Sequence, residues 1–131
     1  MDCNKKNGGC DGGNQDLAFK WAKKNYATLE ADYKYKDKDG DCKYDQKPHT
    51  KVLVTDYAFV TPNSPAQMKA ALALTTLSVS VDATGPKFMN YESGIFDHVP
   101  YITRLNHAVL LVGWGTENGT DYWIMKNSFS T

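Results

Sequence analysis

His107 and Asn127 are the two residues of this chain whose types and spacing could perform chemistry together. His107 opens the apolar run HAVLLVGWG, and Asn127 lies near the end of the run YWIMKNS. The Asn118-Gly119 pair between the two runs favours a tight hairpin turn, which would bring the end of the second run beside the start of the first. An asparagine amide at that place can accept from one imidazole nitrogen and fix the tautomer, which leaves the other nitrogen to take a proton from a thiol. A lone histidine at a strand end is more often structural, so this prediction depends on Asn127.

The three cysteines, Cys3, Cys10 and Cys42, are an odd number. In an oxidising compartment an odd cysteine implies a partner elsewhere or a free thiol, whereas three reduced thiols are the intracellular alternative. A bridge from Cys3 to Cys42 would close a loop of about 40 residues and stabilise the fold by on the order of 4 kcal/mol. Cys10 would then be unpaired. It is a poor candidate for a nucleophile, because no basic neighbour is evident in the sequence.

Composition excludes several classes of partner. Fifteen Lys and Arg balance fifteen Asp and Glu, so nothing in the charge points to nucleic acid or to an anionic membrane surface. The longest apolar stretch, AVLLVGW at residues 108–114, is far shorter than the roughly 20 residues of a membrane-spanning helix. Met1 is followed at once by polar residues, so any targeting segment is expected upstream or already removed. No metal or cofactor is expected.

The elements that must position the histidine and the asparagine follow from local patterns. Residues 1–14 form a glycine-rich loop, and Asn14 can cap a helix. The apolar face of that helix, which should be buried, consists of Leu17, Ala18, Trp21 and Ala22. Residues 32–51 are crowded with charge and predict an exposed loop. The clearest helix start is Ser64-Pro65-Ala66-Gln67, which combines a hydroxyl cap, a proline at the first helical position and a glutamine three residues after the cap. Strands are predicted at residues 51–60, 77–81, 107–113 and 122–126.

Four segments in this order resemble the papain and cathepsin family of cysteine proteases. They are GGCDGG near the N-terminus, SVSVDATGPKFMNYESGIF at residues 78–96, HAVLLVGWG, and YWIMKNS. The resemblance covers nearly the whole chain. It implies an α+β fold in which this chain supplies most of the antiparallel, β-barrel-like domain and a remnant of the helical one, so that the fold is incomplete. In that division residues 1–50 hold the cleft loop, a helix and the charged loop, and residues 51–131 form the β-rich part with the histidine and the asparagine.

The same resemblance implies roles for individual residues. His107 would be the general base, and Asn127 would orient its ring. Gly12 and Gly13 would form part of the cleft wall, where an extended substrate backbone can approach; a turn before the helix is the alternative. Four residues would line the pocket for the second residue before the scissile bond, although for Leu105 and Ala108 ordinary packing is as plausible: Ser80, Leu105, Asn106 and Ala108. The resemblance also implies a disulfide bond between Cys3 and Cys42, and a second one between Cys10 and a cysteine beside the nucleophile, on the missing segment.

The nucleophile itself is not in this sequence. No C-G-x-C-W segment occurs, and only 106 residues precede His107, whereas this family places its cysteine about 130 to 150 residues upstream. The family's tryptophan and glycine after Asn-Ser are Phe129 and Ser130 here, and Phe129 is expected to shield the Asn-His hydrogen bond in part.

Two functions follow. The first is a cysteine endopeptidase that hydrolyses peptide bonds through an acyl-enzyme thioester, to which this chain contributes the histidine and the asparagine and a second chain or an N-terminal segment contributes the thiol. The second is a catalytically inactive papain-like protein that binds peptides or has a structural role. The resemblance and the odd cysteine imply a lysosomal or extracellular location. Asn118-Gly119-Thr120 also fits the N-glycosylation acceptor pattern, although a plain turn explains it equally well.

Overall fold

A computed structural model of the chain describes residues 1–97 and 104–129. Two compact units are present, Met1–Phe59 and Val60–Thr131. The first unit contains helix α1 (Gln15–Ala22) and two short 3-10 turns, and the second contains helices α2 (Pro65–Leu72) and α3 (Pro86–Met89). The second unit also contains the strands β1 (Leu77–Val81), β2 (His107–Glu117) and β3 (Thr120–Lys126). Helices and an antiparallel sheet occur together, as the α+β prediction requires.

The first unit is held together by a disulfide bond and by a hydrogen-bonded aspartate. Cys3 and Cys42 are joined, as predicted, and they are 39 positions apart in the sequence. Asp2 receives hydrogen bonds from the Tyr33 hydroxyl at 2.7 Å and from the Gly40 N–H at 3.1 Å. The loop that these contacts anchor has no regular structure beyond a 3-10 turn at Tyr44–Gln46, which confirms the predicted charged loop.

Helix α1 differs in two details from its prediction. Asn14 is the residue before the helix, but its side chain makes no capping bond. Its backbone is instead held by Asn7, whose amide oxygen accepts from the Asn14 N–H at 2.9 Å and whose amide nitrogen donates to the Asn14 carbonyl at 3.3 Å. The predicted apolar face is only half-buried at Leu17, Trp21 and Ala22, and Ala18 is exposed. No residue of the helix is fully buried.

The predicted strand at residues 51–60 is wrong. The segment is β-branched and aromatic, but composition favours an extended backbone only where a neighbouring strand can complete the ladder. Here the pairing is limited to Ala27, which donates its N–H to the Val52 carbonyl at 2.9 Å and accepts from the Thr50 N–H at 2.8 Å. Within the described residues the segment therefore stays a loop.

The second unit contains the buried core. Helix α2 begins as predicted: Pro65 is at the first position, and the Ser64 hydroxyl accepts from the Gln67 N–H at 3.3 Å. The three strands form one antiparallel sheet in the order β1-β2-β3. Among the described residues, the buried hydrophobic side chains are Leu72, Val109 and Leu111, and Leu111 is the most deeply buried of them. No described helix is long and apolar enough to cross a membrane.

A two-residue turn joins β2 to β3. Glu117 pairs with Thr120, and both turn residues have positive φ, 50° at Asn118 and 80° at Gly119. Positive φ at both positions defines the type I′ turn, whose twist matches the twist of the strands, and asparagine followed by glycine is its preferred sequence. The predicted hairpin is therefore confirmed.

Candidate active site

Strand register places His107 and Asn127 together. His107 is the first residue of β2, opposite Val81 of β1, and it lies on the same side of the strand as the buried Val109 and Leu111. The last pair of the hairpin joins Lys126 to Leu110, so Asn127 follows directly at the end of β3. Residues that are diagonal across two strands are within reach of each other's side chains. The His107 Nε2 atom lies 2.7 Å from the Asn127 Oδ1 atom.

This hydrogen bond decides which imidazole nitrogen can act as a base. An amide oxygen can only accept, so in the neutral ring Nε2 carries the proton and Nδ1 keeps its lone pair. The same oxygen also accepts the Ser128 N–H at 2.8 Å, which fixes the orientation of the Asn127 amide. His107 is half-buried, so its ring is partly supported by the protein and partly open to solvent.

Aromatic rings surround the imidazole. Phe129 stacks on His107 with ring centroids 5.0 Å apart and an interplanar angle of 28°. Phe88 approaches both rings edge-on, at 6.5 Å from His107 and 6.3 Å from Phe129. Phe96 in turn packs against Phe88 at 5.8 Å. Edge-to-face and offset-stacked arrangements at these distances are favourable, so the rings restrict the orientation of the imidazole.

Phe88 and Phe96 were not predicted as site residues. Both residues lie in the segment 78–96 that resembles the papain family, but no helix and no individual role was predicted for them. The structure has the short helix α3 there, with Pro86 at its first position. The available signal was three aromatic residues within nine positions, at Phe88, Tyr91 and Phe96. Phe129 was predicted to shield the Asn-His hydrogen bond in part; its ring stacks on His107, and the shielding itself stays a prediction. Ser130 is outside the described residues.

Side-chain hydrogen bonds join the loop that follows β1 to the residues that directly precede His107. Asn106 accepts the Ala83 N–H on its Oδ1 at 2.9 Å, and its own N–H donates to the Val81 carbonyl at 3.1 Å. Asp82 accepts the Thr84 hydroxyl at 2.6 Å and the Arg104 N–H at 2.9 Å. These donors, above all the Thr84 hydroxyl, lower the pKa of the Asp82 carboxyl below its ordinary value. Asn106, predicted to line a pocket, thus also supports the loop that precedes His107.

Three more predicted pocket residues lie near the histidine in sequence. Ser80 and Ala108 are direct partners across β1 and β2, and both are exposed. Successive residues of a strand point to opposite faces, so this pair is on the other face of the sheet from His107. Leu105 has 70% of its surface exposed, which is unusual for a leucine and leaves it available for contact with a ligand. Their role in substrate binding stays a prediction.

In the first unit, Gly12 and Gly13 have different reasons to be glycine. Gly12 has a φ of 93°, which favours glycine, and a Cβ built on it would meet nothing within 4 Å. At Gly13 a Cβ would lie 2.3 Å from the amide oxygen of Asn7, so a side chain there would have to displace the Asn7 side chain. Gly12 is therefore the one that leaves open space beside its backbone, and Gly13 is required by the contact with Asn7.

The remaining thiol does not have the properties of a nucleophile. Cys10 is exposed and free. Its pKa is raised by desolvation and by the carboxylates of Asp39, Asp37 and Asp11, which disfavours the thiolate. Within the described residues, no group of three or more His, Cys, Asp or Glu side chains is placed to hold a metal ion.

The sequence and the structure are similar to those of known proteases. The profile described as "Papain family cysteine protease" matches residues 1–131. The chain belongs to this family. It is 45% identical over 131 residues to "Probable cysteine protease RD21B" of Arabidopsis thaliana and 40% identical over 129 residues to chymopapain of Carica papaya. These alignments cover 98% of this chain in both cases, but 28% and 36% of the relatives.

Solved structures of papain-like proteases show the same fold. The bromelain protease of Ananas comosus, solved with the E64 inhibitor, superposes with a TM-score of 0.86 at 39% sequence identity. That match covers 97% of this chain and 58% of the bromelain chain. The papain-like fold predicted from the sequence is confirmed, and the chain spans well under half the length of the curated relatives named above.

Proposed function

We propose that this chain is the part of a papain-family cysteine endopeptidase that supplies the general base, His107, and the amide that orients it, Asn127. A cysteine outside these 131 residues supplies the thiol. The observation that carries the proposal is the 2.7 Å hydrogen bond from His107 Nε2 to Asn127 Oδ1, because it leaves Nδ1 unprotonated and free to accept a proton.

The chemistry is acyl transfer in two stages. The thiol gives its proton to Nδ1 of His107, and the resulting thiolate attacks the carbonyl carbon of the scissile peptide bond. The imidazolium then donates that proton to the leaving amine, so the C–N bond breaks and a thioester remains. Water, activated by the neutral imidazole, hydrolyses the thioester, releases the carboxylic acid and restores the thiol.

Asn127 contributes to both stages through the proton on Nε2. When the ring becomes an imidazolium, the bond to the amide oxygen becomes charge-assisted and therefore stronger. The stacked Phe129 and the edge of Phe88 restrict the orientation of the ring that makes this bond. The pair is thus prepared for the charged state before a substrate arrives.

Peptide binding is assigned to the residues whose surroundings leave room for it. The open space beside Gly12 suits the approach of an extended substrate backbone, and we include Gly13 as its neighbour. The exposed side chains that we assign to the pocket for an apolar substrate residue are Ser80, Leu105, Asn106 and Ala108.

Cysteine chemistry links this chain to the remainder of the protease. The exposed Cys10 thiol is available to form a disulfide with a cysteine close to the nucleophile, in a second chain or in an N-terminal segment. The bond between Cys3 and Cys42 fits an oxidising compartment, so we infer a lysosomal, vacuolar or extracellular location.

The test uses protein from its natural source that contains this sequence. A labelled form of E64, the inhibitor in the bromelain complex, should attach to a cysteine outside these residues, and peptide mapping after reduction identifies that cysteine. In the non-reduced map, a second cysteine close to the labelled one should be disulfide-bonded to Cys10. Failure of labelling, in protein whose disulfides are intact and whose peptide-binding surface captures immobilised peptide, would support the catalytically inactive alternative.

A further inference from the structure

The tip of the β2–β3 hairpin has a feature that catalysis does not use. Asn118, Gly119 and Thr120 form an N-x-[ST] acceptor sequence within the type I′ turn. All three residues are exposed. Within residues 1–97 and 104–129, neither the Asn118 amide nor the Thr120 hydroxyl is engaged in a hydrogen bond.

We propose that Asn118 is an N-glycosylation site and that the mature protein carries an oligosaccharide at this turn. The acceptor sequence alone does not carry this inference, since many such sequences lie where a glycan could not be accommodated. Here the folded protein leaves the amide and the hydroxyl free, and the asparagine lies at the exposed tip of a hairpin. The Cys3–Cys42 disulfide supplies the second condition, an oxidising compartment of the secretory route.

The rest of the hairpin explains why the tip can hold a large group without losing its shape. Immediately behind the turn, the Thr116 hydroxyl donates to the Asp121 carboxylate, and Lys69 of α2 lies 3.7 Å from the same carboxylate. These contacts use Thr116 and Asp121, and they leave the hydroxyl of the acceptor sequence unoccupied. The contacts that fix the strand ends are therefore made by residues outside the acceptor sequence.

The glycan would also be remote from the histidine. Asn118 is eleven positions after His107 along an extended strand, which corresponds to roughly 36 Å at about 3.3 Å per residue. We therefore expect the modification to leave peptide hydrolysis unchanged. This separates the inference from the proposed function, because either can fail while the other holds.

The donor is a lipid pyrophosphate-linked oligosaccharide. The Asn118 Nδ2 atom forms a bond to C1 of the first sugar, and the bond from that carbon to the pyrophosphate oxygen breaks. The lipid pyrophosphate leaves with the electron pair, and the amide nitrogen loses one proton to a base of the transferase. No atom is oxidised or reduced.

The test begins with protein from its natural source, digested with a peptide N-glycosidase in water enriched in oxygen-18. The peptide that contains residue 118 should be recovered with a labelled aspartate at that position. Variants expressed through a eukaryotic secretory pathway then test the chemistry. Thr120→Ala should lose the whole glycan mass, whereas Thr120→Ser, which keeps a hydroxyl, should retain it. Recovery of an unmodified Asn118 peptide from protein whose Cys3–Cys42 bond is formed would overturn the proposal, because that bond shows passage through the oxidising compartment.

Discussion

Replacement of Asn127 by alanine tests the proposed catalytic role most directly. The substitution removes the amide oxygen that accepts the Nε2–H of His107 at 2.7 Å and the Ser128 N–H at 2.8 Å. Asn127 is exposed, so the small side chain of alanine leaves no buried cavity. The direct consequence is the loss of two hydrogen bonds at one atom, and only the bond to His107 changes strength during the reaction.

The expected magnitude follows from that change. A hydrogen bond to a charged group contributes about 1.5 to 3 kcal/mol, and here the charge develops when His107 takes the thiol proton. In the complete protease we therefore expect kcat/KM to fall about 10- to 150-fold for Asn127→Ala. The hydrogen bond stabilises the charged imidazolium of the transition state and does not contact the bound substrate. The decrease should therefore be in kcat, with KM nearly unchanged.

Two matched variants separate this mechanism from general damage. Asn127→Asp keeps an acceptor oxygen and should recover most of the activity that alanine loses. Ser128→Ala keeps the backbone N–H that donates to the Asn127 side chain, so kcat and KM should be unchanged. Steady-state kinetics on a peptide substrate, with active sites titrated by E64, distinguish the cases. A loss of less than threefold, or a loss confined to KM, would refute the assigned role of the hydrogen bond.

Three further predictions concern stability. Cys3→Ser or Cys42→Ser should each lower the free energy of unfolding by about 4 kcal/mol in urea denaturation, and the double variant should lose no more than either single one. Ser64→Ala should cost about 1 kcal/mol through the lost helix cap, whereas Ser64→Thr should cost less, as thermal unfolding would show. The hydrogen bond from Tyr33 lowers the pKa of Asp2 below its ordinary value of 3.8. The ionised Asp2 carboxylate therefore stabilises the folded state fully above pH 3.8, and this stabilisation is lost as the pH falls through the lowered pKa. The difference in unfolding free energy between the parent and Tyr33→Phe should therefore shrink on acidification below that pH, and a constant difference in urea titrations would contradict this.

The parts of the structure that were predictable from the sequence are those whose geometry depends on a few adjacent residues. The Asn118-Gly119 pair determined the hairpin turn, and Ser64 with Pro65 determined the start of α2, because the local backbone conformation decides both. The strand predicted at residues 51–60 was wrong for the opposite reason. A strand needs a neighbour, and the sequence of one segment does not say whether the neighbour is there.

The same distinction applies within the site. The contact between His107 and Asn127 joins residues 20 positions apart, but one short turn and a regular antiparallel register connect them, so the sequence could predict it. The contact between Phe88 and His107 joins residues 19 positions apart, a nearly equal separation. It depends on helix α3 and on the loops around it, whose path no repeating pattern specifies. Separation along the chain therefore does not limit such predictions. What limits them is whether a predictable turn and a regular strand register connect the two residues, as the hairpin does for His107 and Asn127.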